Sequence, residues 1–408
     1  MKLKATGIIV EYNPLHNGHV YHAEQAKITT EADLVIAVMS GNFLQRGEPA
    51  FVDKWARAQM ALSSNVDIVF ELPYRFATAH APLFAKGAVQ LLQAAGCDAF
   101  CFGSEEGSID AFTNSLTLLS ETEEQYEAAV KQAVAAGISY PKALNEAYAA
   151  VSNDTKANVK LADLSKPNNI LGFHYMKAAE DIRSNMKAVT IKRMGANYHD
   201  DAEEGKRIAS ATGIRKSFFE TAALSKVTGF IPPITNNLLE RWQTTGKSFG
   251  SWQTFYPQLR FIILRDGPER LRSIADVTEG IENLFFKAAQ KSDTFEDFMS
   301  TVKSKRYTWT RIQRMLVHIL NGFTYEMREQ MEMPSYLRLL GMSQKGRSYL
   351  HEQKKNFSLP VVSKVAAIKD PSLQMDCTAS DIYAIGTANN KGHIEIGKDY
   401  SSPPIIGK

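Results

Sequence analysis

The first two hundred residues alternate short apolar runs with helical patterns, and this rhythm narrows the possible folds more than any other feature of the chain. The runs at 6–11, 34–39, 68–72, 99–103 and 188–192 are rich in Val, Ile and Phe and bounded by Gly, Asp, Asn or Pro. Strands buried on both faces read this way. Helical patterns at 20–28, 54–64 and 83–95 fall between them. The spacing predicts βαβ units, and therefore an α/β fold with a doubly wound parallel sheet.

A polar, helical insertion over 104–166 interrupts the rhythm. Its first part, 104–127, holds seven acidic side chains and no Lys or Arg, a solvated face that should point away from any polyanion. Beyond residue 215 strand-like runs become scarce, and amphipathic segments at 236–244, 279–290, 295–304 and 311–320 dominate. Two units are expected: 1–215 as a nucleotide-binding catalytic domain, and 216–408 as a mainly helical domain. The tail segments 361–367 and 394–408 should form small strands or pack back on the helices.

Composition excludes several classes. With 408 residues, 44% hydrophobic and 22% charged, the chain is neither disordered, collagen-like nor coiled coil. No apolar run nears the roughly 18 residues a membrane helix needs. The N-terminus enters a strand without a signal core, so a cytoplasmic protein is expected. Three cysteines rule out a disulfide framework, and Cys97 and Cys101 sit in a run, CDAFCFG, that reads as buried strand rather than as metal ligands. A net charge of +3 is near balance, so only the distribution of charge informs about partners.

The strongest local signal is Gly7-Ile8-Ile9-Val10-Glu11-Tyr12-Asn13-Pro14-Leu15-His16-Asn17-Gly18-His19-Val20. A strand runs into an Asn-Pro turn, and His16 and His19 then open a helix three residues apart, on one face of its first turn. Free N–H groups and the positive end of the helix dipole favour an anion there. Gly18 lets a phosphate approach the backbone. Two such histidines could also merely cap the helix or bind metal, but the strand-turn-helix setting favours phosphate, where they would donate hydrogen bonds as charge builds.

A second signal is Ser210-Ala211-Thr212-Gly213-Ile214-Arg215-Lys216. Hydroxyls followed by an Arg-Lys pair at a helix start suit nucleotide phosphates, although alone they could be a cap and a basic turn. The stretch Lys303, Lys305, Arg306, Tyr307, Trp309, Arg311 and Arg314 holds five cations, no acid and two aromatic rings within twelve positions. It could be a solvated helix face, or it could neutralise phosphates while rings stack on bases.

Together HNGH and SATGIR resemble the HxGH nucleotidylyltransferase superfamily. The longer stretches GIIVEYNPLHNGHVYH (7–22), VMSGNFLQRGEPAFVDKWARAQMAL (38–62), ELPYRFATAHAPLFAKGAV (71–89), FGSE (102–105), KPNNILGFHYMKA (166–178) and RIASATGIRK (207–216) resemble, more narrowly, the tRNA(Met) cytidine acetate ligase family. A weaker match, YLRLLGMSQKGRSYL, lies at 336–350. The resemblance implies a two-step reaction. Acetate would attack the α-phosphate of ATP, giving acetyl-adenylate and pyrophosphate. The wobble cytidine of elongator tRNA(Met) would then take the acetyl group on N4.

The resemblance also implies roles. Residues Gly7 to Val20 would form the ATP loop, with His16, His19, Thr212 and Arg215 catalytic. Gly103, Asn169, Arg193, Met194 and Ser210 would contact the nucleotide, and Mg²⁺ would accompany its phosphates. The basic stretch at 303–314 would hold the tRNA, while no dedicated metal cage, membrane or obligate protein partner is implied. Arg46 or Lys54, just after the second strand, could pair with acetate or the α-phosphate, guide the tRNA, or form ordinary surface salt bridges, and Ala77, Ala79 and Ala81 around His80 are candidates for a small wall around acetate. Two other readings remain open: a carboxylate-activating enzyme with a small-molecule product, and a non-catalytic RNA-binding protein that retains ATP.

Overall fold

The structure is a computed structural model describing residues 3–138, 140–153, 159–193, 209–304, 307–388 and 394–407. Five parallel strands, β1 (Ala5–Val10), β2 (Leu34–Ser40), β3 (Ile68–Leu72), β4 (Ala99–Ser104) and β5 (Lys187–Lys192), lie in the order β5-β4-β1-β2-β3. Each falls within a residue of its expected bounds.

The alternation of side chains divides the interior into two cores. Leu34, Ile36 and Val38 of β2 enter one, and Val35, Ala37 and Met39 enter the other. The first core lies under the helices Ala81–Ala94, Ile109–Glu121 and Pro167–Asp181. The second lies under Asn17–Thr29, Lys54–Leu62 and most of the helices after residue 211, while Gln344–Gln353 sends Tyr349 into the first. The acidic helix Ile109–Glu121 and the helix Trp309–Asn321 are therefore on opposite faces of the sheet.

The chain beyond residue 216 is helical for most of its length and also extends this sheet. Strand β6 (Leu337–Met342) pairs antiparallel with β3, and the short β7 (Val361–Val362) and β8 (Ile405–Ile406) pair with β6. Between those two tail strands lies the helix Pro371–Thr387.

The seam between β3 and β6 is ionic as well as hydrogen-bonded. Lys54, with no exposed surface, reaches Glu71 of β3 at 2.8 Å and Asp399 at 2.9 Å, and Arg338 of β6 lies 3.6 Å from Asp399. Lys54 therefore cannot meet acetate, contrary to one reading of the sequence, because its charge is spent inside the fold.

β1 is flanked by β4 on one side and β2 on the other, and the connections leaving β1 and β4 go to opposite faces. A crevice opens at the carboxyl ends of these two strands, where open α/β sheets bind ligands.

Candidate active site

The loop after β1 delivers two histidines to this crevice in a reciprocal cap. His16 is the N-cap of Asn17–Thr29, and its Nδ1 accepts the Gly18 N–H at 3.1 Å. The His19 Nδ1 accepts the His16 N–H at 3.3 Å, and the two rings stack with centroids 3.7 Å apart. A ring nitrogen that accepts carries no proton, so in the neutral imidazole the proton is on Nε2. Burial, helped by the Arg193 charge, pushes His16 down to about 3. Burial, with His16 and Arg193 nearby, holds His19 well below the usual histidine range. Both rings are therefore neutral Nε2–H donors at pH 7.

The second motif comes to the same place. Ser210 caps the helix Ala211–Thr221, its hydroxyl accepting the Gly213 N–H at 3.0 Å. Arg215 donates to the Asn13 carbonyl at 2.7 Å and meets Glu48 at 3.1 Å. Two segments about two hundred residues apart are thus pinned to one cavity of about 370 Å³, lined by His16, Gly18, His19, Ser210, Thr212 and Arg215 among others. The donor set, imidazoles, hydroxyls and a guanidinium, fits an anion rather than a cation.

Of the other expected nucleotide contacts, Ile9, Val10, Glu11, Tyr12, Asn13, Gly103 and Arg193 line this cavity. Gly7, Ile8, Pro14, Leu15, Asn17 and Val20 lie outside its lining. A Cβ on Gly7 would come within 2.5 Å of Leu92, so that glycine serves the packing of β1 under the helix Ala81–Ala94. Ile8 and Leu15 are fully buried in the core.

Asn169 is buried, its amide holding the loop after β4: Oδ1 accepts the Glu106 N–H at 3.1 Å and Nδ2 donates to the Asp163 carbonyl at 2.9 Å. Its neighbours Asn168 and Ile170 line the cavity instead. Ala77 and Ala79 are buried, while Ala81 and Arg46 reach the lining. Met194 lies outside the described residues.

His22, Gln45, Phe84, Phe102 and Tyr175 also line the cavity and were missed as site residues. His22 was visible as a third ring on the face of His16 and His19; the others carry no local signal.

Gly103 faces the cavity, where a Cβ would sit 3.4 Å from the Arg193 side chain. Valine suits a strand backbone but would project into the ligand space. Gly103→Val is therefore expected to weaken nucleotide binding at least tenfold by calorimetry, while the melting temperature of the free protein moves by less than about 2 °C, as for a mutation that leaves the core intact.

The basic stretch is only partly a free surface. Lys303 and Trp309 are exposed. Tyr307 is buried with its hydroxyl on Glu279 at 2.9 Å, and Arg311 stacks on it at 4.8 Å. That burial takes the Tyr307 ring out of base stacking. Arg314 packs against Gly47, in the loop that also carries Gln45, Arg46 and Glu48. The helix Trp309–Asn321 is thus one loop away from the cavity. Lys305 and Arg306 lie outside the described residues.

Among the described residues no three His, Cys, Asp or Glu side chains gather into a group able to hold a metal ion, and no helix is long and apolar enough to cross a membrane.

A crevice with paired imidazoles at one helix start and hydroxyls at another has the donors that a nucleotidyl-transfer enzyme needs. A family model described as HIGH Nucleotidyl Transferase accordingly matches residues 3–396. A tRNA(Met) cytidine acetate ligase from Lysinibacillus sphaericus is 50% identical over 403 residues, covering 99% of this chain and 100% of that one. One from Bacillus subtilis is 41% identical, covering 94% and 92%. TmcAL of Thermotoga maritima in its apo form superposes with a TM-score of 0.89 at 33% identity, and its complex with alpha-thio ATP with 0.87 at 32%, each covering 99% of both chains. The chain belongs to the tRNA(Met) cytidine acetate ligase family.

Proposed function

We propose that the protein is an ATP-dependent ligase that converts acetate to acetyl-adenylate and transfers the acetyl group to N4 of the wobble cytidine of elongator tRNA(Met). The observation carrying this reading is the convergence of the His16–His19 cap and the Ser210–Arg215 helix start on one cavity, in a chain whose relatives bear that name over nearly their full length.

The chemistry follows from the leaving groups. Free acetate cannot acylate an amine because it would have to expel oxide. Attack of its carboxylate on the α-phosphorus expels pyrophosphate and leaves an acyl group whose own leaving group is AMP. His16 and His19, neutral and proton-bearing at Nε2, donate to oxygens whose charge rises in that transition state, and being held in a helix cap they need little reorganisation. Ser210, Thr212 and Arg215 receive the departing pyrophosphate. Mg²⁺ would arrive on the phosphates and neutralise charge on them; the donor set around the cavity addresses the same oxygens directly.

The wobble base has to leave its stack to reach the cavity. Lys303 ends the helix Phe295–Val302 and Trp309 starts the helix Trp309–Asn321, whose Gln313 and Arg314 adjoin the loop carrying Arg46, a position from which the anticodon backbone can be held while the base enters. A tRNA substrate places the protein in the cytoplasm, and acetate, ATP and tRNA complete the reaction without a protein partner.

The test is nucleoside mass spectrometry of tRNA(Met) incubated with protein, ATP and isotopically labelled acetate. Labelled N4-acetylcytidine at the wobble position is expected, with AMP formed in equal amount. Release of AMP that proceeds equally well without RNA would instead identify a small-molecule enzyme.

A further inference from the structure

The cavity spans the carboxyl ends of β1, β2 and β4, and the chemistry of its lining differs from one side to the other. The phosphate-binding helix starts stand at the β1 end. On the β4–β5 side are Gly103, Ile191 and Arg193, where the crevice of the β1/β4 switch point receives a nucleotide. Toward β2 the lining includes Gln45, from the loop after that strand, with Glu11 of the β1 end bonded to it and Ala81 and Phe84 of the helix Ala81–Ala94 beyond, while Tyr175 leads back to Phe102 of β4. With the nucleotide across the switch point, this second lobe is the space left for acetate and cytosine.

Within the lobe, Glu11 is a carboxylate held by the fold and open at one oxygen. It is the first residue after β1, and its Oε1 accepts the Gln45 N–H at 2.9 Å. Among the described residues Oε2 has no hydrogen-bond partner, although the side chain lines the cavity. The main chain of Glu11 is fixed as well, since the buried Arg57 donates to its carbonyl at 2.7 Å.

The second step needs a base. The N4 lone pair of cytosine is delocalised into the ring, so the amine attacks only weakly, and the adduct carries a proton that must leave before AMP does.

We propose that Glu11 is the general base of acetyl transfer, its free Oε2 taking a proton from N4 of the cytidine. This rests on the ligase reading above. The N4–C bond forms at the acetyl carbonyl carbon, one N4 proton passes to Oε2, and the C–O bond to the phosphate breaks, its electron pair leaving with AMP. The carboxylic acid then returns its proton to solvent.

The surroundings suit such a base. Burial raises the Glu11 carboxyl above the usual glutamate range, opposed by the Gln45 N–H and by Arg46 and Arg215 and reinforced by Glu48. Arg57 and Tyr175 also face it, from the helices Lys54–Leu62 and Pro167–Asp181. A base whose pKa moves toward the working pH transfers protons more effectively. Since the base form is needed, transfer should accelerate as pH rises through this raised pKa and then level off.

The experiment measures both half-reactions of the full-length protein and its Glu11→Gln variant: acetate-dependent exchange of labelled pyrophosphate into ATP, and single-turnover acetyl transfer to tRNA(Met) across pH. For the variant, exchange is expected to fall less than tenfold and transfer at least hundredfold, with the acid limb of the transfer profile lost. Hydroxylamine, a stronger nucleophile, should still trap the adenylate, and Glu11→Asp should recover part of the transfer rate.

Transfer within threefold of wild type would overturn the assignment. So would exchange that falls as far as transfer, which would make Glu11 a nucleotide contact. A wild-type protein that exchanges pyrophosphate but acetylates no tRNA would remove the ligase reading, and the base with it.

Discussion

His19→Ala is expected to lower acetate-dependent pyrophosphate exchange by two to three orders of magnitude while changing affinity for tRNA less than twofold. The size follows from the role proposed for the ring: removing one preorganised donor to a developing oxyanion costs about 10²–10³ in rate. The His19 side chain also has a structural duty, because its Nδ1 accepts the His16 N–H and its ring stacks on His16. Losing that half of the cap costs about 0.5–2 kcal/mol of stability, which can be separated from catalysis. His19→Asn retains an acceptor close to the backbone, so it should recover most of the melting temperature without recovering the exchange rate. If the asparagine variant recovered both together, His19 would be a cap and nothing more. The tRNA side of the prediction rests on the exposed Lys303 and Trp309 lying outside the cavity lining that holds His19, on helices separated from it by the loop carrying Gly47.

What the sequence reveals and what it hides divide along physical lines. The five parallel strands were legible because both faces of each are covered, which forces a continuous apolar run such as LVIAVMS. That the HNGH and SATGIR stretches each start a helix was legible because the signal is local, confined to a cap and the first turn after it. Strand β6 escaped because its run, LRLLGM, carries Arg338 at a fully buried position and lies in a helical region. The helix Pro371–Thr387 escaped because Ser372, Asp376 and Ser380 are buried in it, which blurs the helical period. In both cases the polar residue is tolerated inside because of a partner far along the chain, as when Asp376 accepts the Tyr74 N–H at 2.7 Å and the Tyr336 hydroxyl at 2.6 Å. Lys54 misled for the same reason. A lysine beyond a glycine-bearing loop looks like an anion ligand until Asp399 is brought to it. Within the site, the sequence places Glu11 in the ATP loop but cannot show its two oxygens apart; that one is taken by the Gln45 N–H follows from the pairing of β1 with β2, which brings the loop after β2 to it.

The buried ion cluster also sets the largest expected effect on stability. Lys54 joins Glu71 and Asp399 with no exposed surface on its own side chain and almost none on theirs. Burial alone would depress the Lys54 ammonium, yet Asp399 and Glu71 outweigh it and hold it above the usual lysine range. Lys54→Ala removes the cation and leaves two buried carboxylates facing each other, a change that costs about 3–5 kcal/mol in comparable buried pairs. An exposed pair gives the contrast. Lys131 meets Glu127 one helical turn away at 3.4 Å, with both side chains largely in solvent, so Lys131→Ala should alter stability by no more than about 0.5 kcal/mol. Denaturant titration of both variants at pH 7 would measure the difference.

The pH dependence of the Lys54→Ala variant provides a second measure. Burial already raises Glu71 against the pull of Lys54, and without the lysine its folded-state pKa rises further above its unfolded value. A carboxyl shifted in that direction stabilises the fold below its unfolded pKa and loses the contribution as pH rises through the folded one. The deficit of the variant relative to wild type should therefore shrink on mild acidification and be greatest at neutral pH. Because Asp399 and Arg338 tie β6 into the same cluster, the loss should appear first as exposure of the β3–β6 seam, with amides of Leu337–Met342 exchanging faster than those of β1 and β2. Equal exchange along all these strands would mean that the cluster stabilises the molecule as a whole instead of fastening its C-terminal strands to the nucleotide-binding sheet.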